Sequence, residues 1–83
     1  MGSVELALLI KYGLPLAMKL IKAGEDGTKV AEVVTNIVTV KGDIAETLLT
    51  ADDQQTQAII DGLFGEVGKS LDDLLKAIGE LIK

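Results

Sequence analysis

Residues Ile60 to Leu81 have the sequence IDGLFGEVGKSLDDLLKAIGEL, and the spacing of their apolar side chains decides the fold class. Apolar residues recur at alternating intervals of four and three, the heptad pattern of a helix that buries one stripe against a neighbour. We call the following set the C-terminal seam: Ile60, Phe64, Val67, Leu71, Leu74, Ile78 and Leu81. The pattern predicts a C-terminal amphipathic helix over about residues 51–82, with these seven residues as its candidate interface.

Glycines interrupt this predicted helix. Each glycine inside a helix costs about 1 kcal/mol relative to alanine, and four lie here: Gly62, Gly65, Gly68 and Gly79. One possibility is a break after Gly65 with a restart capped by Ser70. The other is one long helix, which is favoured because the C-terminal seam stays in phase through Val67 and Leu71.

The rest of the chain also has helical spacing, with helices expected over residues 3–23, 28–41 and 43–49. Expected caps are Ser3 for the first helix, Asp26 or Thr28 for the second, Asp43 for the third and Thr50 for the last. The second helix is rich in Val and Thr, so a strand is the competing interpretation. Strand alternation fails at Val33-Val34 and Ile37-Val38, which favours the helix. We therefore predict a single all-α domain over residues 1–83, a bundle of three or four helices.

The first predicted helix is apolar over about two-thirds of its circumference when projected at about 100° per residue. Pro15 and the polar side chains fall on one arc, which only Leu8 interrupts; the polar residues are Glu5, Lys11, Tyr12, Lys19 and Lys22. So wide an apolar surface indicates a central bundle helix, an interface or a membrane-seeking helix. We expect the bundle position, with a kink near Gly13 caused by Pro15. The charges argue against a bilayer span, and no signal-peptide pattern is present; we expect a non-secreted protein, cytoplasmic or in a virion.

Composition restricts the classes of function. The chain has 83 residues, no Cys, no His and a net charge of −5. The acidic balance argues against nucleic acid as a partner, and without Cys or His neither disulfides nor the usual zinc ligands can strengthen a small core. Self-association or docking into a larger protein assembly is the remaining way to bury more apolar surface. We therefore expect the partner to be another copy of the chain or a larger protein assembly.

No motif predicts a catalytic, cofactor-binding or metal site. Gly68-Lys69-Ser70 resembles the end of a phosphate-binding loop, but that motif needs a glycine where Leu63 stands. The paired carboxylates Asp52-Asp53 and Asp72-Asp73 open predicted helices, where acidic residues are expected. The acidic turn at residues 24–27 lacks a third calcium ligand at loop spacing. We predict a protein that is not an enzyme and has no cofactor.

The stretch Ile10-Lys11-Tyr12-Gly13-Leu14-Pro15 resembles the opening of short, uncharacterised helical proteins of tailed bacteriophages. The resemblance covers six residues and implies a virion or accessory component that acts by packing into a larger assembly. It carries over no functional residue. The Gly13-Leu14-Pro15 hinge also resembles that of membrane-lytic amphipathic peptides, although this chain has no Trp and an acidic body follows.

The sequence therefore predicts a structural assembly protein whose first helix supplies the core and whose C-terminal seam supplies the oligomer contact. Two other classes remain open. One is a membrane-active or membrane-surface protein that uses its Pro-hinged first helix. The other is a small acidic adaptor or inhibitor that binds a basic partner through the acidic residues between Asp43 and Asp73.

Overall fold

The computed structural model describes residues 2–65 and 71–81, and all regular structure in that part of the chain is helical. The segments, in chain order, are α1 (Ser3–Leu8), a π-helical turn (Leu9–Gly13), α2 (Leu14–Lys22), α3 (Gly27–Val38), α4 (Gly42–Thr50), α5 (Asp53–Phe64) and α6 (Leu71–Leu81). The expected all-α class is confirmed for these residues. We call residues 3–22 the N-terminal helix, because α1, the π turn and α2 follow one another without a break.

The π turn lies where the proline disturbs the backbone. Pro15 has no amide hydrogen, so the carbonyl of Lys11 cannot receive the usual helical hydrogen bond four residues on. Immediately before it, the amide of Leu14 donates to the carbonyl of Leu9, five residues back. The irregularity expected near Gly13 thus takes the form of one wider helical turn.

Side-chain caps fix the starts of two helices. The Asp26 carboxylate accepts a hydrogen bond from the Lys29 amide at 2.9 Å and so begins α3. Asp52 accepts from the Gln55 amide at 2.8 Å, and the Gln55 side chain accepts from the Asp52 amide at 3.1 Å. This reciprocal pair is a capping box at α5. Three expected caps do not have that role, since the residues preceding α1, α4 and α5 are Gly2, Lys41 and Asp52 rather than Ser3, Asp43 and Thr50.

One face of the N-terminal helix lies at the centre of the core. Four of its residues, spaced by four, have no exposed surface: Leu8, Tyr12, Leu16 and Leu20. They pack with buried residues of the other helices, which are Val33, Ile37, Val40, Ala45, Leu48, Ile59, Ile60, Leu63 and Ile78. A Cβ atom at Gly13 would lie 2.9 Å from Leu9 Cδ1, so any larger residue would force the Leu9 side chain to shift, whereas its 3.6 Å distance to Val34 Cγ1 on α3 would be ordinary contact.

The C-terminal part of the chain contains two described helical segments. α5 ends at Phe64, where the Gly65 amide bonds to the Gly62 carbonyl at 3.1 Å, and α6 begins at Leu71. Residues 66–70 lie outside the described part of the chain. The expectation of one continuous helix through them therefore stays a prediction.

Candidate functional site

The N-terminal helix exposes an apolar surface on the side opposite its buried face. We call this surface the apolar stripe; its residues are Leu6, Ile10, Leu14, Met18 and Ile21. Each of these side chains is between 48% and 63% exposed. Among the described side chains, the large apolar residues with substantial exposure all belong to this helix, the sixth being Val4. Large contiguous apolar patches on a small protein mark interaction sites.

The π turn reduces the angle by which this surface spirals around the helix axis. In an α-helix four residues advance about 40° beyond one full turn, so a strict four-residue repeat spirals around the helix. Both the apolar stripe and the buried face use this repeat, the first from Leu6 to Met18 and the second from Leu8 to Leu20. The wider π turn halfway along removes part of the drift. Each row of side chains therefore spirals less around the helix than the same spacing would in a regular α-helix.

Hydrogen bonds to the end of α4 explain which face turns inward. α4 ends at Thr50 without a basic residue in its last turn, and Ala51 continues in an extended conformation. Its last carbonyls therefore need outside donors. The Tyr12 hydroxyl donates to the buried carbonyl of Leu48. The adjacent Lys11 ammonium donates to the carbonyls of Leu49 and Ala51, at 2.9 and 2.7 Å.

Lys11 adds charge to this cap. The C-terminus of a helix carries a partial negative charge, so an ammonium group there is stabilising. Lys11 is half-buried and also lies 5.9 Å from the centre of the Tyr12 ring. Neighbouring residues of the π turn thus hold the N-terminal helix against α4 in one rotation about its axis.

A second polar contact joins the N-terminal helix to α5 and is compatible with the same rotation of that helix about its axis. The Lys19 ammonium lies 2.7 Å from the Asp61 carboxylate and 5.3 Å from the centre of the Phe64 ring. The hydrogen bonds from Lys19 and Gln57 hold the pKa of Asp61 below its ordinary value. An exposed ion pair contributes little to the free energy of unfolding, so this one accompanies the packing of α2 on α5 and does not determine it.

The structure thus directs much of the predicted polar arc toward the protein. Tyr12 and Leu8 are fully buried, and Lys11 and Lys19 bind groups on α4 and α5. The apolar remainder of the helix divides between the core and the solvent-exposed stripe. The sequence indicates the excess of apolar surface on this helix, while the interface that it predicts is the C-terminal seam.

The residues of the C-terminal seam differ in their exposure to solvent where the structure describes them. Ile60 and Ile78 lie in the core, 5% and 0% exposed, and Phe64 is partly buried against the core. Val67 and the side chains of Leu71, Leu74 and Leu81 lie outside the described part of the chain. The role of the C-terminal seam in oligomer contact stays a prediction.

The half-exposed side chains of the apolar stripe would gain free energy if they were buried. Complete burial of one such side chain contributes about 1.5–3 kcal/mol, so five half-exposed residues leave about 4–7 kcal/mol unrealised. The whole domain is expected to have a free energy of unfolding of about 4–12 kcal/mol. Association itself costs translational and rotational freedom, so a partner that covers the apolar stripe would gain only part of this free energy.

Other parts of the described structure offer less chemistry. A shallow cleft of about 380 Å³ between α1 and α4 is lined by Val4, Gly42, Ala45, Glu46, Leu49 and Thr50. Its lining is apolar apart from Glu46 and Thr50, without the convergent polar groups of a small-molecule site. Among residues 2–65 and 71–81, no three carboxylates lie together as metal ligands would. No helix in those ranges has the length and apolar character to cross a bilayer.

No protein-family model matches the chain, and comparisons with characterised proteins and with solved structures give no significant match.

Proposed function

We propose that this chain is a non-enzymatic assembly protein that binds other protein through the apolar stripe. The observation that carries the proposal is the exposure of Leu6, Ile10, Leu14, Met18 and Ile21 on one side of the N-terminal helix. Association buries such a face, and apolar burial is the main favourable term in most protein association. The resemblance of residues 10–15 to phage proteins is consistent with a virion or accessory component of this kind.

Charge favours a protein partner over a membrane surface. A membrane-surface helix uses lysines on its polar side to reach anionic headgroups. Here Lys11 and Lys19 bind carbonyls of α4 and the carboxylate of Asp61. The chain as a whole carries a net charge of −5, which an anionic bilayer repels. The membrane-surface function is therefore the second candidate, since it would use the same exposed face.

The test measures the mass of the protein by light scattering behind size-exclusion chromatography in detergent-free buffer. The protein concentration is varied about a hundredfold around the micromolar range, so that a micromolar association would change the measured mass. We expect a mass above one chain that rises with concentration, and a return to one chain in the Leu14→Lys variant. Gln54→Lys is the matched control, because it adds the same charge at an exposed position of α5, away from the apolar stripe.

A wild-type chain that stays monomeric across this range would contradict the proposal. Flotation with vesicles that contain anionic lipid tests the membrane-surface function, which is the second candidate. A monomer that floats with the vesicles, and fails to float as Leu14→Lys, would assign the apolar stripe to the membrane surface instead.

A further inference from the structure

The spacing of the apolar stripe is nearly the same from either end. Its intervals are four, four, four and three, so Leu14 lies at the middle, flanked by Ile10 and Met18. Leu6 and Ile21 close the two ends. If two such helices lie antiparallel with their Leu14 residues opposed, Ile10 of each faces Met18 of the other. The stripe is thus complementary to a second copy of itself, as a two-fold symmetric interface requires.

Charges along the helix distinguish the two directions of pairing. Glu5 is exposed at the N-terminal end of the apolar stripe, and Lys22 is exposed at its C-terminal end. A parallel pair would bring two Lys22 side chains to one end and two Glu5 side chains to the other. An antiparallel pair places the Glu5 end of one copy beside the Lys22 end of the other, and it opposes the two helix dipoles.

The length of the surface suits a partner of this size. From Leu6 to Ile21 the apolar stripe extends about 22 Å at the rise of an α-helix. The described structure measures 31 × 27 × 24 Å. A second N-terminal helix therefore covers most of one side of the molecule, and it brings an identical row of apolar side chains.

We propose that the occupant of the apolar stripe is a second copy of this chain, packed antiparallel about a two-fold axis at Leu14. This inference rests on the proposed function, since it names the partner and the register of the same surface. The resulting dimer buries both stripes at once, and it leaves the acidic helices α4 and α5 outside the contact.

Cysteine cross-linking of the full-length chain tests the register, and the absence of native Cys makes the background clean. A disulfide forms only where two Cα atoms come within about 7 Å. Under mild oxidation, we expect Leu14→Cys to shift from the mass of one chain to that of two. Leu6→Cys alone should stay a single chain, because antiparallel pairing about Leu14 separates its two copies by about 24 Å along the helix axis. A mixture of Leu6→Cys and Ile21→Cys should form a mixed dimer.

The result that overturns the inference is a disulfide-linked dimer of Leu6→Cys alone, which would show parallel pairing. Association that Leu14→Lys abolishes, but that gives none of these cross-links, would overturn it too and leave the proposed function standing. If Leu14→Lys preserved the association and Leu74→Asp abolished it with its helicity retained, the contact would be the C-terminal seam and both proposals would fall. A wild-type chain without association would remove the inference and the proposed function together.

Discussion

The Tyr12 hydroxyl of the π-helical turn donates a hydrogen bond to the main-chain carbonyl of Leu48, in the last turn of α4. Both side chains are fully buried. Because a buried carbonyl without a donor is costly, this contact favours one rotation of the N-terminal helix over the others. The same rotation turns the apolar stripe toward solvent. The cap of one helix and the exposed surface of another are therefore consequences of a single packing arrangement.

Replacement of Tyr12 by Phe tests the contribution of this hydrogen bond. The variant keeps the aromatic ring in the core but leaves the Leu48 carbonyl without its donor, so we expect the free energy of unfolding to fall by about 1–3 kcal/mol. Urea denaturation followed by far-ultraviolet circular dichroism measures the change. A Tyr12→Phe variant as stable as the wild type would show that the hydroxyl is not needed to cap α4.

Alkaline pH tests the burial of the same phenol. Burial raises the pKa of Tyr12 above its ordinary value of 10.0, and the hydrogen bond with Thr56 offsets part of that increase. The folded state therefore holds the phenol proton more tightly than the unfolded chain does. This stabilisation is complete below pH 10.0 and is lost as the pH rises above it toward the folded pKa.

The measurement uses the single tyrosine of a chain that has no tryptophan. We expect tyrosinate absorbance to appear together with the loss of helical circular dichroism during alkaline titration. The unfolding of Tyr12→Phe should depend less steeply on pH in the same range. Tyrosinate that formed at its ordinary pH while the helices stayed intact would contradict the burial of Tyr12.

Lys11 and Lys22 form a matched pair for the charge at the end of α4. The Lys11 ammonium donates to the carbonyls of Leu49 and Ala51 at the C-terminal end of α4, whereas Lys22 is exposed at the far end of the N-terminal helix. We expect Lys11→Met to lower the free energy of unfolding by about 1–2 kcal/mol and Lys22→Met to change it by less than about 0.5 kcal/mol. Thermal unfolding distinguishes them, since 1 kcal/mol corresponds to about 4–8 °C in a domain of this size. Equal effects would mean that Lys11 does not act through the carbonyls.

The Lys19–Asp61 pair gives a test at acid pH. The hydrogen bond from Lys19 is the main reason that the pKa of Asp61 lies below its ordinary value of 3.8. The stabilisation linked to this carboxylate is present above pH 3.8 and is lost as the pH falls through the lowered pKa. We expect Lys19→Met to raise the pKa of Asp61 back toward its ordinary value. Titration of the Asp61 carboxyl carbon by nuclear magnetic resonance measures this, and an unchanged pKa would argue against the contact.

The sequence predicts the helical fold, but it does not predict which face of the N-terminal helix turns toward the core. The helical interpretation of residues 28–41 rested on adjacent pairs such as Val33-Val34 that break strand alternation, and α3 is a helix. The inward face of the N-terminal helix was not predictable from a helical projection. That projection assumes a constant angle per residue, which the π turn at Leu9–Gly13 changes. It also cannot indicate that the Leu48 and Leu49 carbonyls near the end of α4 accept hydrogen bonds from Tyr12 and Lys11.

Leu14 and Leu16 provide the most direct test of that rotation. Both lie in α2, two residues apart, but Leu14 is 51% exposed and Leu16 has no exposed surface. We expect Leu16→Ala to lower the free energy of unfolding by about 2–5 kcal/mol because it leaves a cavity. Leu14→Ala should change it by less than about 1 kcal/mol in dilute solution, while it weakens self-association at high concentration. Chemical denaturation at low concentration, paired with light scattering at high concentration, separates the two effects. If the two variants lost equal stability as monomers, both faces of α2 would be buried within one chain, and the apolar stripe would not be available to a partner.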